Sequence, residues 1–394
     1  MSESPIYPEC ESIVTSYGND FRYCGFTVGE MGAVNLSPLA PLSDGELFAP
    51  GDLLYLDTET TGLSGGPGTV AFLLGVGHFC KDGFIIKQYL MRDYDEEPSQ
   101  LQHLTAEMGG RCALVTYNGK AFDMNLLESR FIMNGMRLPK AGCHIDLLRP
   151  SRRIWRRCIE NCRLTTIENE ILGERRVDDV PGSLIPKLYF DYLETKEDEL
   201  LEGVLIHNRN DILAMAAILK YITDLIDRTS RGESYETMAY KVADRISKGK
   251  LADRTSEELL GLAGYLYSLK NLELAETCLQ TSMKRDKPAV TRRALRMLAE
   301  MKKREGKHAE AAVYWMNMLK FAPASGIYPF IELAKYYEHK ERNPEAALIY
   351  TDLALRMASM PVYASTGARG EIEARRDRLI RKQARVDAKK LKGK

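Results

Sequence analysis

Asp57-Thr58-Glu59 closes a short apolar run, Leu53-Leu54-Tyr55-Leu56. Residues two apart in a strand project to one face, so both carboxylates can meet one cation. Without a cation they repel each other. A second stretch, Asn118-Gly119-Lys120-Ala121-Phe122-Asp123, ends in an acid. There a strand stops, Gly119 turns the chain and a helix begins. A third stretch, His207-Asn208-Arg209-Asn210-Asp211, puts a histidine and an acid four residues apart, on one helical face. Each has a plain structural reading as well: a solvated strand end, an acid complementing a helix dipole, or a simple His-Asp pair. Carboxylate oxygens suit Mg²⁺ or Mn²⁺ rather than zinc.

The surrounding elements can position these groups. Strands are expected at 53–57, 69–79, 83–91, 112–118 and 143–146. Helices are expected at 96–108, at 120–135 (stopped by Gly135) and from about Asp198 to Leu219. Strands first joined by short turns and then through helices imply an α/β domain with a mixed sheet. Residues 1–48, rich in turn formers, read as an irregular N-terminal arm, and the α/β domain spans 49–228. Beyond about residue 235 no strand signal remains. Ala275, Ala311 and Ala346 recur at separations of 36 and 35 residues, each with a Leu-Ala pair upstream: Leu262-Ala263, Leu298-Ala299 and Leu333-Ala334. A period near 34 with small residues at helix crossings is the tetratricopeptide pattern, expected over 236–360. Residues 361–394 read as a basic tail, solvated or disordered.

Taken in order, the three acidic stretches resemble the DEDD (DnaQ-like) exonuclease superfamily, whose motifs are Asp-x-Glu, an Asn…Phe-Asp stretch and an acid preceded by Tyr or His. The resemblance covers about residues 50–225 and implies a ribonuclease H-like fold. The pairing with helical repeats, the stretch Val180 to Leu193 and His207-Asn208-Arg209-Asn210-Asp211 are similar to a bacterial group of the YprB type. One departure stands out. The family's His subclass places His five residues before the acid, whereas here the spacing is four, as in the Tyr subclass.

The resemblance implies a 3′–5′ exonuclease with two Mg²⁺ or Mn²⁺ ions on Asp57, Glu59, Asp123 and Asp211, Asp57 bridging them. Two such ions activate a water and stabilise the leaving oxygen. His207, whose imidazole can accept and release a proton, is the expected general base. Thr58, Thr60, Gly62, Asn118, Phe122 and Asn208 are the expected substrate contacts. The main chain at Thr60 and Gly62 can approach a terminal nucleotide closely. Arg149, Arg152, Arg153, Arg156 and Arg157 surround Trp155, a mixture that suits a single-stranded backbone or a solvated helix face. A catalytically silent repeat scaffold and a structure-selective endonuclease are the competing readings.

Composition sets wide limits. Lys+Arg and Asp+Glu each number 55 in 394 residues, so global charge argues neither for nor against nucleic acid. Eight scattered cysteines form no Cys-x-x-Cys pair, as in a reducing compartment. The start lacks a signal-peptide pattern and no apolar run reaches a membrane span, so a cytoplasmic protein is expected. Nucleic acid is the expected partner, with a protein partner on the repeats. The Gly65-Gly66-Pro67-Gly68 turn has no following Gly-Lys-Ser/Thr, so it is not a phosphate loop.

Overall fold

The computed structural model describes residues 8–37, 39, 48–62, 68–110, 113–231, 248–284, 287–362 and 368–392. Outside them lie Gly65-Gly66-Pro67, Cys112, residues 236–247 of the expected repeat region, and Lys394. The chain divides into two compact units, Met1–Ala275 and Glu276–Lys394.

The first unit carries β1 (Glu11–Gly18), a small antiparallel pair β2 (Arg22–Tyr23) and β3 (Phe26–Thr27), β4 (Leu53–Thr60), β5 (Ala71–Cys80), β6 (Gly83–Leu90), β7 (Ala113–Thr116) and β8 (Cys143–Asp146). Its helices are α1 (Val28–Gly32), α2 (Glu97–Met108), α3 (Asp123–Met133), α4 (Leu148–Trp155), α5 (Leu164–Ile167), α6 (Ile185–Thr195), α7 (Glu199–Ser230) and α8 (Lys248–Ser268). Six strands form one sheet in the order β1-β6-β5-β4-β7-β8. β4–β7 and β7–β8 are parallel and the other pairs antiparallel, so the sheet is mixed as expected.

Leu54 and Leu56 point from β4 into a core built with Leu101 and Leu104 of α2 and Leu127 and Phe131 of α3. The opposite face of the sheet receives α7. Its approach depends on two glycines in β5. A Cβ on Gly75 would stand 2.0 Å from Asn208 Oδ1, and one on Gly77 would stand 2.5 Å from Ile212 Cγ2. Any side chain there would push α7 off the sheet.

The N-terminal arm departs from the irregular reading. Residues 11–18 pair along their whole length with β6 as an edge strand of alternating burial. Ile13, Val14, Thr15 and Tyr17 are strand formers, and their alternation outweighs the turn residues around them. Helix α8 packs on α4, where a Cβ on Gly261 would lie 2.5 Å from the Ile154 carbonyl oxygen.

Helix α9 (Leu272–Ser282) runs across the boundary between the units. The second unit continues with α10 (Pro288–Arg304), α11 (His308–Leu319), α12 (Tyr328–His339), α13 (Pro344–Ala358) and α14 (Ala368–Lys392). Consecutive helices pack on one another, with Ala299, Ala311, Leu333 and Ala334 buried at their crossings. The basic stretch after 361 is not simply a tail: α14 buries Ile372 and Leu379, and its cations pair with acids of α12 and α13. Two apolar residues seven apart give that helix a face to bury. No helix among the described residues is long and apolar enough to cross a membrane.

Candidate active site

Asp57 lies directly across from Gly75 in the β4–β5 register, so both face α7. A register shift between Glu59 and Thr60 ends the strand. From α7, Asn208 Nδ2 donates to Asp57 Oδ2 at 2.8 Å. Gln88 Nε2 of β6 donates in turn to Asn208 Oδ1 at 2.9 Å. The glycine at position 75 makes room for this chain of bonds. Asn208 is fully buried, so it holds the Asp57 carboxylate and does not face a substrate.

Thr58 points to the other side of β4, and its hydroxyl donates to Asp123 Oδ1 at 2.5 Å. Asp123 opens α3, at the end of a turn with Asn118 in the left-handed region (φ 69°). Asn tolerates that conformation better than most residues. Asp146, at the end of β8, fixes the turn. Its carboxylate accepts the main-chain N–H groups of Asn118 (2.8 Å), Lys120 (3.1 Å) and Leu148 (3.0 Å). Phe122 projects into solvent beside it. Thr60 Oγ1 donates to the Gly62 carbonyl at 2.9 Å, shaping the chain after Glu59.

Asp211 stands one helical turn after His207. Arg176 Nη2 lies 2.5 Å from Asp211 Oδ1 and 2.6 Å from Glu168 Oε2, and Arg176 Nη1 lies 3.3 Å from Asp179 Oδ2. Tyr23, from the N-terminal arm, donates its hydroxyl to Glu168 at 2.6 Å. His207 Nδ1 lies 2.9 Å from Asp179 Oδ1, and its Nε2 lies 3.8 Å from Asp211 Oδ2. A carboxylate only accepts, so Nδ1 carries the proton and Nε2 is left free to accept one. Gly203, one turn before His207, lets Val180 lie close enough to bring Asp179 in. A Cβ there would be 2.5 Å from Val180 Cγ2.

The electrostatics are one-sided. Burial, then the charges of Asp211, Glu59 and Asp123, hold the Asp57 carboxyl well above the usual carboxylate range. Burial, then the charges of Asp211, Asp123 and Asp179, do likewise for Glu59, against the pull of Arg176. Asp123 is also raised, first by burial, although the Thr58 bond opposes the shift. Glu168 is pushed up to about 7 by burial, against the pull of Arg176. Burial works against the Arg176 charge, but Asp211 and Glu168 hold its proton more firmly than usual.

The four acids singled out in the sequence are thus electrostatic neighbours, with His207 beside Asp211. Among the described residues no three acidic, histidine or cysteine side chains are drawn into a coordinating cluster. Asp57 and Asp123 each accept from a protein donor instead, and Asp211 pairs with the Arg176 guanidinium. The donor set nevertheless fits a hard divalent cation: oxygen ligands, half-buried, and more negative charge than one guanidinium offsets.

Arg176, Asp179, Glu168 and Tyr23 were not anticipated. The run Glu174-Arg175-Arg176-Val177-Asp178-Asp179 reads in sequence as a solvated charge run. One reading fails here. Trp155 is fully buried against Tyr221, so it offers no ring to a base.

Residues 54–223 match the family described as the RNase_H superfamily. The chain is also 32% identical over 328 residues to the uncharacterized protein YprB of Bacillus subtilis (strain 168), covering 82% of this chain and 74% of that one.

Proposed function

This chain belongs to the YprB family, and from that premise we propose that it is a metal-dependent nuclease removing nucleotides from the 3′ end of a nucleic-acid strand. The observation that carries the reading is the convergence of Asp57, Glu59 and Asp123 with raised carboxyl pKa values beside Asp211. Such a group persists in a fold when it has work to do with a cation. The RNase_H superfamily match supports a nucleic-acid substrate.

Asp57, Glu59, Asp123 and Asp211 are the residues to hold two Mg²⁺ or Mn²⁺ ions. Bound there, the ions supply polarisation of the phosphate and a more acidic attacking water. The protein's own groups do the rest. Asn208 and Gln88 fix Asp57, and Thr58 fixes Asp123. Asp179 holds the His207 ring by Nδ1, so that Nε2 can take the water's proton. Arg176 restrains Asp211 and Glu168. Phe122 is exposed where a terminal base would stack, with Asn118, Thr60 and Gly62 lining the approach.

In this reading 49–228 is the catalytic domain. The 35-residue spacing supports tetratricopeptide-like repeats over 236–360, suited to a protein partner. The expected location is the cytoplasm. The test is digestion of 5′-labelled single strands of DNA and RNA with Mn²⁺. A ladder of stepwise-shortened products supports the proposal, while intact strands or discrete internal cuts contradict it.

A further inference from the structure

Beside the acidic cluster, within the first unit, an open cleft of about 770 Å³ runs between α4 and α8. Lys120, Arg149, Arg152, Arg153, Arg156 and Lys270 line it, and all six are exposed. Among the described residues none of these side chains has a carboxylate partner. Asp146 is the one acid in the lining, and its oxygens are taken by main-chain N–H groups of Asn118, Lys120 and Leu148. The cleft is therefore a concentrated, unneutralised positive field in a chain whose net charge is zero. Such a field is costly to assemble unless an anion answers it.

Three further observations say which anion. The positive charge is spread along a groove rather than focused on one point, so it fits a repeating anion. Tyr265 and Trp155, the nearby aromatics, are buried and present no ring for bases to stack on. The groove also begins at the turn that delivers Asp123, since Asn118 and Lys120 belong to both. We propose that this cleft binds the phosphate backbone of a nucleic-acid strand whose end lies at the carboxylate cluster. Guanidinium groups contact phosphates without reading bases, so binding here is indifferent to sequence. The two helices are held as the walls by the Gly261 crossing, which lets α8 touch the main chain of α4. The direction of the strand rests on the nuclease reading; the binding itself does not.

Binding is measured on the full chain by fluorescence anisotropy, using a labelled 20-nucleotide oligothymidylate in EDTA, across a salt series. The triple variant Arg152→Ala, Arg153→Ala, Arg156→Ala should bind much more weakly. Its slope of log affinity against log salt should be shallower by about 2, the loss expected for three phosphate contacts on a single strand. A control triple, Lys81→Ala, Arg137→Ala, Lys140→Ala, removes equal charge outside the cleft and should keep the wild-type slope. Unchanged melting temperatures establish that both variants fold. Equal losses in both triples, or none in the cleft triple, would overturn the proposal. Strand binding through the cleft without any Mn²⁺-dependent hydrolysis by the wild type would uphold it while removing the nuclease reading.

Discussion

Each unit of this protein buries carboxylates, and the two treat them in opposite ways. In the second unit the Glu338 side chain is 1% exposed, and it accepts from Arg375 (2.7 Å), Arg378 (2.9 Å) and Lys382 (2.7 Å). Burial opposes its ionisation, but the bonds from Arg378 and Lys382 outweigh that and pull it down to about 2. In the first unit Asp57, Glu59 and Asp123 are half-buried among other acids, and their carboxyl pKa values rise. Burial alone therefore does not distinguish a structural acid from a reactive one. The local ratio of cations to anions does. Glu338 has more cations than it needs, whereas the β4 cluster has one guanidinium for many acids and must find charge elsewhere.

The comparison breaks most visibly at Asp57. Asp57→Ala should lower Mn²⁺-dependent hydrolysis by on the order of 10³-fold. Asp57→Asn should also raise the melting temperature in chelator by about 2–4 °C, because one repelling charge is gone. Glu338→Gln should do the reverse, leaving hydrolysis intact and costing about 2 kcal/mol in the second unit. A Glu338 variant that melts like wild type would show the contrast to be illusory. His207→Ala comes next. The expected loss is about 10²-fold in kcat, with Mn²⁺ affinity changed far less. Parallel loss of both would make His207 a structural residue.

Much of this contrast was legible in the residues. The period-2 spacing of Asp57 and Glu59, the strand-to-helix turn before Asp123 and the helical spacing of His207 and Asp211 are local patterns, and local patterns survive without a structure. Arg176 and Asp179 are not local in that sense. Asp211 and His207, their partners on α7, lie about thirty residues on with α6 between, so nothing local in the charged run marks the contact. Asn208 looked like a polar substrate contact, but the burial that makes it a support for Asp57 depends on Gly75 of another strand. Trp155 likewise looked free to stack, because its burial is set by Tyr221 on α7. The edge strand β1 was hidden for a simpler reason: pairing on one side leaves only a weak alternation among turn residues.

Smaller effects sharpen the same comparison. Gly75→Ala should destabilise the first unit by about 1–3 kcal/mol, since the methyl group must displace Asn208, and it should weaken Mn²⁺ binding by loosening Asp57. Acid should act oppositely on the two units. The raised carboxyls of the β4 cluster bind protons more tightly folded than unfolded. In chelator the first unit should therefore gain stability as pH falls from neutral toward about 4, the unfolded value. Glu338 is depressed, so its contribution is full above about 4 and is lost as pH falls toward about 2. Calorimetric melts across pH, with the transitions of the two units resolved, check both signs.

Titration of the full chain with Mn²⁺, followed by electron paramagnetic resonance, tests most directly whether the β4 cluster is a cation site. The acids at Asp57, Glu59, Asp123 and Asp211 predict binding near two ions per chain that is lost in Asp57→Ala and kept in Glu338→Gln. Equal binding by wild type and Asp57→Ala would contradict the account.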